Sequence, residues 1–160
     1  MEEELMRKLQ AIVSAAAVTG LIATFSVYAA DILKSDLKPC LHDGTTVGGV
    51  NSCGKVWKLK SGTAQVGADG DVKVEVKGLV LNDESTGQFN GTPDGVDAVA
   101  VAVICGGSVA AQSDAMPLSK AGDAKIHAKL KIPSSCASPI VVLRERYEGK
   151  IGGWLAGTGK

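Results

Sequence analysis

"VDAVAVAVIC", residues 96–105, is the stretch on which the fold turns. Val99, Val101 and Val103 alternate with Ala98, Ala100 and Ala102, so an extended chain here presents apolar side chains on both faces. Valine loses side-chain freedom in a helix and favours a pleated strand. A strand that is apolar on both sides must be covered on both, which places it in the middle of a sheet. At an edge the same uncharged, β-prone run would recruit other chains, so its position has to be interior.

Working outward, "TAQVGADGDVKVEVKGLVL" (63–81) reads as a hairpin. Val72, Val74 and Val76 face one way, Lys73, Glu75 and Lys77 the other, and "ADGD" supplies the turn. "LNDESTGQFNGTPDG" (81–95) is rich in turn formers and reads as a long loop. "VWKLK" (56–60), "SVAAQSDAMPLS" (108–119), "AKIHAKLKI" (124–132), "PIVVLRERY" (139–147) and "IGGWLAGTG" (151–159) complete a series of roughly seven or eight short strands with turn signals between them. The expected fold is all-β, a single antiparallel β-sandwich preceded by a signal-peptide helix.

The chain's start stands apart. Arg7 and Lys8 precede an uncharged run from Leu9 to Ala30, and Val27 and Ala29 are the small residues a signal peptidase reads. Cleavage after Ala29 is expected. The acidic "MEEEL" is wrong for the positive end of a signal, which leaves Met6 open as the true start; an uncleaved membrane anchor is the alternative reading of the same run. The expected organisation is therefore a signal peptide over 1–29, a disulfide-tied N-terminal loop over 30–55, and the sandwich over 56–160. No membrane span is expected in the mature chain.

Lys plus Arg and Asp plus Glu both number 17. Removing the signal leaves the mature part close to neutral, so nothing steers a polyanion from a distance and nucleic acid is not an expected partner. Four cysteines behind a signal peptide read as two disulfides in a secreted or periplasmic protein. Three pairings are open. Cys40–Cys53 and Cys105–Cys136 are favoured because the first brackets a Gly-rich loop and the second joins two expected strands. The second closure would contribute about 3–4 kcal/mol by the loop-entropy model.

"VICGG" (103–107), "PLSKAGDAKI" (117–126), "PSSCASPIVVL" (133–143) and "GGWLAGTG" (152–159) together resemble small exported bacterial proteins of unassigned function. The resemblance runs over about residues 63–160. It implies an immunoglobulin-like sandwich, a secreted location and support for the Cys105–Cys136 pair. These are turn-and-strand signatures and carry no chemistry.

A zinc site needs short ligand spacings, and there is no CxxC. A hydrolase triad would rest on His42 or His127, the two imidazoles, without a GxSxG. The terminal "GWLAGTGK" has Trp154 where a P-loop needs glycine. Asp83, Glu84, Asn90, Asp94 and Asp97 supply oxygen ligands that calcium accepts, without EF-hand spacing. Trp57 and Trp154 are the candidates for a carbohydrate-binding platform. Lys125, His127, Lys129 and Lys131 form a basic row, read first as the wet side of a strand and second as a shallow anion face that strengthens as His127 protonates.

No cofactor and no catalytic role are expected. The functional expectation is an exported, non-enzymatic binding or structural module with a protein or cell-surface partner of unspecified identity. The alternatives are a subunit of a surface assembly of pilus or adhesin type, or a calcium- or carbohydrate-binding domain.

Overall fold

In the computed structural model, residues 29–159 are described. The expected signal segment therefore lies outside the described residues, Ala29 apart. The strands are β1 (Asp31–Asp36), β2 (Lys38–Pro39), β3 (Trp57–Lys58), β4 (Ser61–Gly67), β5 (Asp71–Lys77), β6 (Val80–Leu81), β7 (Val96–Cys105), β8 (Ser108–Gln112), β9 (Met116–Pro117), β10 (Ala124–Lys129), β11 (Ile140–Tyr147) and β12 (Lys150–Gly157). A short 3-10 segment, Glu84–Phe89, is the one helical element among the described residues.

The protein is all-β and its sheets are antiparallel. The first sheet has the order β1-β4-β5-β10. The second runs β2-β12-β11-β7-β8, with β9 joining β7 further along the same side as β8. β3 and β6 form a separate two-stranded pair. One apolar cluster joins the two main sheets: Val66, Val72, Val74, Val76 and Ile126 come from the first, and Val99, Val101, Val103, Leu143 and Leu155 from the second. Each such side chain stabilises the fold by about 1.5–3 kcal/mol when fully buried.

The 96–105 run occupies the interior of the second sheet, between β11 and the β8/β9 pair. Its valines face the shared core. Its alanines are equally buried, at 0–1 % exposure. Register explains this second burial: Arg144 lies opposite Ala100 and Arg146 opposite Ala98. The two small residues leave room for those arginine stems to cross the outer face, with their charged ends reaching Gln112 and Asp97.

The hairpin of β4 and β5 turns at Ala68–Gly70, where Gly70 donates to the Gly67 carbonyl at 2.9 Å. Gly70 has φ +84°, and a Cβ there would collide with the Leu130 carbonyl, so only glycine satisfies both demands.

The N-terminal segment differs from the loop expected over 30–55. Residues 31–36 form an edge strand on β4, and 38–39 pair with β12, so the chain passes from one sheet to the other within a few residues. Its mixed composition hides a strand because one side of β1 is exposed and polar, and a register shift between Asp31 and Leu33 breaks the alternation. The remainder, 40–55, is loop, closed by the Cys40–Cys53 disulfide. It seals the β12 edge: Cys40 donates to the Leu155 carbonyl at 2.8 Å and Trp154 to the Asn51 carbonyl at 2.9 Å. Cys105–Cys136 ties the end of β7 to the segment before β11. Two disulfides suit an oxidising environment outside the cytoplasm. Among the described residues no helix is long and apolar enough to cross a membrane.

Candidate functional site

The basic row lies on β10, which pairs with β5 in unbroken antiparallel register: Lys125 opposite Glu75, His127 opposite Lys73, Lys129 opposite Asp71. Ala124 and Ile126 turn into the core, while Lys125, His127 and Lys129 stand in solvent. The alternation of apolar and charged residues on both strands forces this arrangement, since a one-residue slip would bury the lysines.

Each basic side chain of β10 has a carboxylate partner. Lys125 pairs with Glu75 at 3.4 Å, His127 Nε2 with Asp71 Oδ1 at 2.5 Å, and Lys129 with Asp69. On β5 itself, Lys73 reaches Asp71 at 3.2 Å and Lys77 reaches Glu75 at 3.6 Å. Asp71 is held below the ordinary carboxylate range by the hydrogen bond from His127 first and that from Lys73 second. Asp69 is lowered chiefly by Lys129. Lys131, the fourth member of the row, falls beyond the strand and is exposed. A shallow depression on this face is lined by Thr63, Gln65, Lys73, Glu75, Lys125 and His127.

Sequence reasoning found the cations and missed their partners. Glu75 was visible as an outward residue of the hairpin, but the β10–β5 register that sets it against Lys125 joins segments about fifty residues apart. Asp69 and Asp71 lie in "ADGD", whose local pattern marks a turn and carries no sign of the basic side chains of β10.

The other candidates do not converge. Among the described residues no group of three or more His, Cys, Asp and Glu side chains is placed to hold a metal ion. Of the five calcium candidates, Asp83 caps the 3-10 segment by accepting from the Ser85 amide and hydroxyl, and Asn90 Oδ1 accepts from the Asp83 amide. Asp97 is held by Arg146, whose hydrogen bond lowers its pKa. Glu84 and Asp94 are exposed on the same loop. The Asp83 and Asn90 oxygens are spent on the loop's own geometry, which is how an Asp- and Asn-rich turn imitates a ligand set.

Trp57 and Trp154 are core residues, at 4 % and 2 % exposure, so they offer no platform for a sugar. Trp154 Nε1 donates to the Thr45 carbonyl at 3.0 Å, fastening the disulfide loop to β12. His42 Nδ1 sits 2.7 Å from the Cys53 carbonyl, and the neighbouring Asp43 accepts from the Thr45 amide, so both groups serve the loop. A second, more apolar depression is bordered by Phe89, Pro93, Val96, Leu118 and Lys120.

No family model, curated protein or solved structure matches the chain.

Proposed function

We propose that this protein is an exported, non-enzymatic binding or structural module built on an immunoglobulin-like sandwich. The observation that carries the reading is strand order. β4-β5-β10 in one sheet and β12-β11-β7 in the other follow the A-B-E and G-F-C succession of that fold, with β8 beside β7 as an added strand. The disulfide departs from the immunoglobulin pattern, since it joins β7 to the segment before β11 and does not bridge the two sheets. The likeness of residues 63–160 to small exported bacterial proteins agrees with this architecture. Export draws on the signal-like run over 1–29 and on the two disulfides.

N-terminal mass analysis of protein recovered from outside the cytoplasm tests the export half. The expected product begins at Ala30 with all four cysteines oxidised; retention in the cytoplasm with a Met1 or Met6 start and free thiols would overturn it. A hydrolytic activity abolished by His42→Ala or His127→Ala would overturn the non-enzymatic half.

A second reading, a subunit of a surface assembly, is favoured by the edge strand β8, whose "SVAAQ" carries no charge and exposes Val109. Size-exclusion chromatography that shows a monomer at every concentration would remove it.

A further inference from the structure

Four backbone edges bound the two main sheets, and they are not equivalent. The β12 edge is closed by residues 38–40 and 51–52. β8 and β1 are each irregular against their inner neighbours, β8 where Val103 and Ile104 meet Ala111 and Val109, and β1 between Asp31 and Leu33. Among the described residues, only β10 combines an edge position, where β9 lies near it without pairing to it, with an unbroken ladder over all six of its residues. Leu130 donates its N–H to the Gly70 carbonyl, towards β5. Antiparallel alternation then turns the N–H and C=O of Lys125, His127 and Lys129 outward, to the unpaired side.

Charge decides what this edge accepts. Lys73, Lys77, Lys125, His127 and Lys129 share only Asp69, Asp71 and Glu75, and two of those carboxylates each hold two basic side chains. Even with His127 neutral, four lysines face three carboxylates, and Lys131 adds to the excess at the end of the row. A second copy of β10 paired antiparallel about His127 would set Lys125 against Lys129 and His127 against His127. Like charges directly opposite are destabilising, so the row disfavours self-pairing.

We propose that the outer edge of β10 accepts an extended segment of a partner protein carrying carboxylates at alternate positions, adding a fifth strand to the first sheet. Backbone pairing supplies the attachment and the lysines select the sequence, which is the general mode of strand addition to a sheet edge. The inference rests on the binding-module reading and names its site and partner chemistry.

The probe is a blocked synthetic peptide, Thr-Glu-Val-Glu-Val-Glu-Val-Thr, titrated into the oxidised protein by fluorescence anisotropy, with amide exchange followed by NMR. Saturable binding is expected, with slowed exchange at Lys125, His127 and Lys129. Two N-methylated peptides, one modified on the glutamates and one on the valines, should differ, one losing at least about tenfold in affinity and the other retaining it, because only alternate N–H groups face the edge. Lys in place of Glu in the peptide, or Lys125→Glu with Lys129→Glu in the protein, should weaken binding by about tenfold or more. The proposal is overturned if the parent peptide fails to saturate by about 1 mM, if both methylated peptides bind like the parent, or if the protein instead dimerises through β10. Failure here removes the acidic-strand partner and leaves the export reading, which N-terminal mass and thiol content judge separately.

Discussion

β7 and β10 are both strictly alternating strands, yet one lies in the middle of its sheet and the other at a rim. In β7 the residues between the valines are alanines, and all are buried. In β10 the residues between Ala124, Ile126 and Ala128 are Lys125, His127 and Lys129, and these are exposed. The difference teaches how one period-two pattern encodes position: the apolar half fixes which side meets the core, and the intervening half decides whether a second layer can cover the strand. Arginines from β11 complete the cover of β7, whereas the outward face of β10 is left to water and to its own ion pairs.

The strongest test of this contrast is a charge placed in β7. Val101→Asp should cost about 4 kcal/mol or more and abolish the cooperative thermal transition, because a buried carboxylate there has no partner. Replacing both Cys105 and Cys136 by Ala should lower stability by about 3–4 kcal/mol in denaturant titration, since that bond closes a loop with a sequence separation of 31. Within β10, Ile126→Ala should cost about 2–4 kcal/mol through a cavity in the shared core, while His127→Ala, one position away, should leave the unfolding midpoint within error. Equal effects of those two substitutions would break the comparison.

Two smaller effects depend on pH. Burial raises the Glu145 pKa above 4.5, against the opposing hydrogen bond from the Gly153 amide. Ionisation of Glu145 therefore weakens the fold as pH rises through its native-state pKa. Glu145→Gln should raise the thermal midpoint at pH 7 relative to wild type, and the gain should vanish below pH 4.5. Asp71 behaves in the opposite sense. Its lowered pKa means that its pairing with His127 and Lys73 contributes above 3.8 and is lost as pH falls through the native-state value. Asp71→Asn should remove that part of the acid-unfolding limb, the smallest change of the set because the group is in solvent.

Much of the fold was legible from particular residues. The valines of 72–76 and 99–103 marked core-facing strands, and "ADGD" marked the turn that joins β4 to β5. The mixed 30–55 segment did not show its strands, because β1 is half exposed and its alternation is broken, and β2 is too short for a period. The two tryptophans lie in expected strands, where core burial is the default and a sugar platform the lesser alternative; the structure buries both, Trp154 under the disulfide loop and Trp57 within the core cluster. Of the loop's oxygen ligands, Asp83 and Asn90 accept hydrogen bonds within their own turn and Asp97 accepts from Arg146, while Glu84 and Asp94 stand exposed and do not converge with them.

By itself the sequence determined which residues turn inward, because side-chain period follows directly from local backbone geometry and needs no knowledge of neighbours. It also determined the all-β class, through β-branched runs punctuated by turn formers. Only the tertiary structure decided which strands became edges and which carboxylate met which lysine. Those outcomes depend on register between distant segments, set by the fit of two apolar faces in a common core, and no local pattern records that fit.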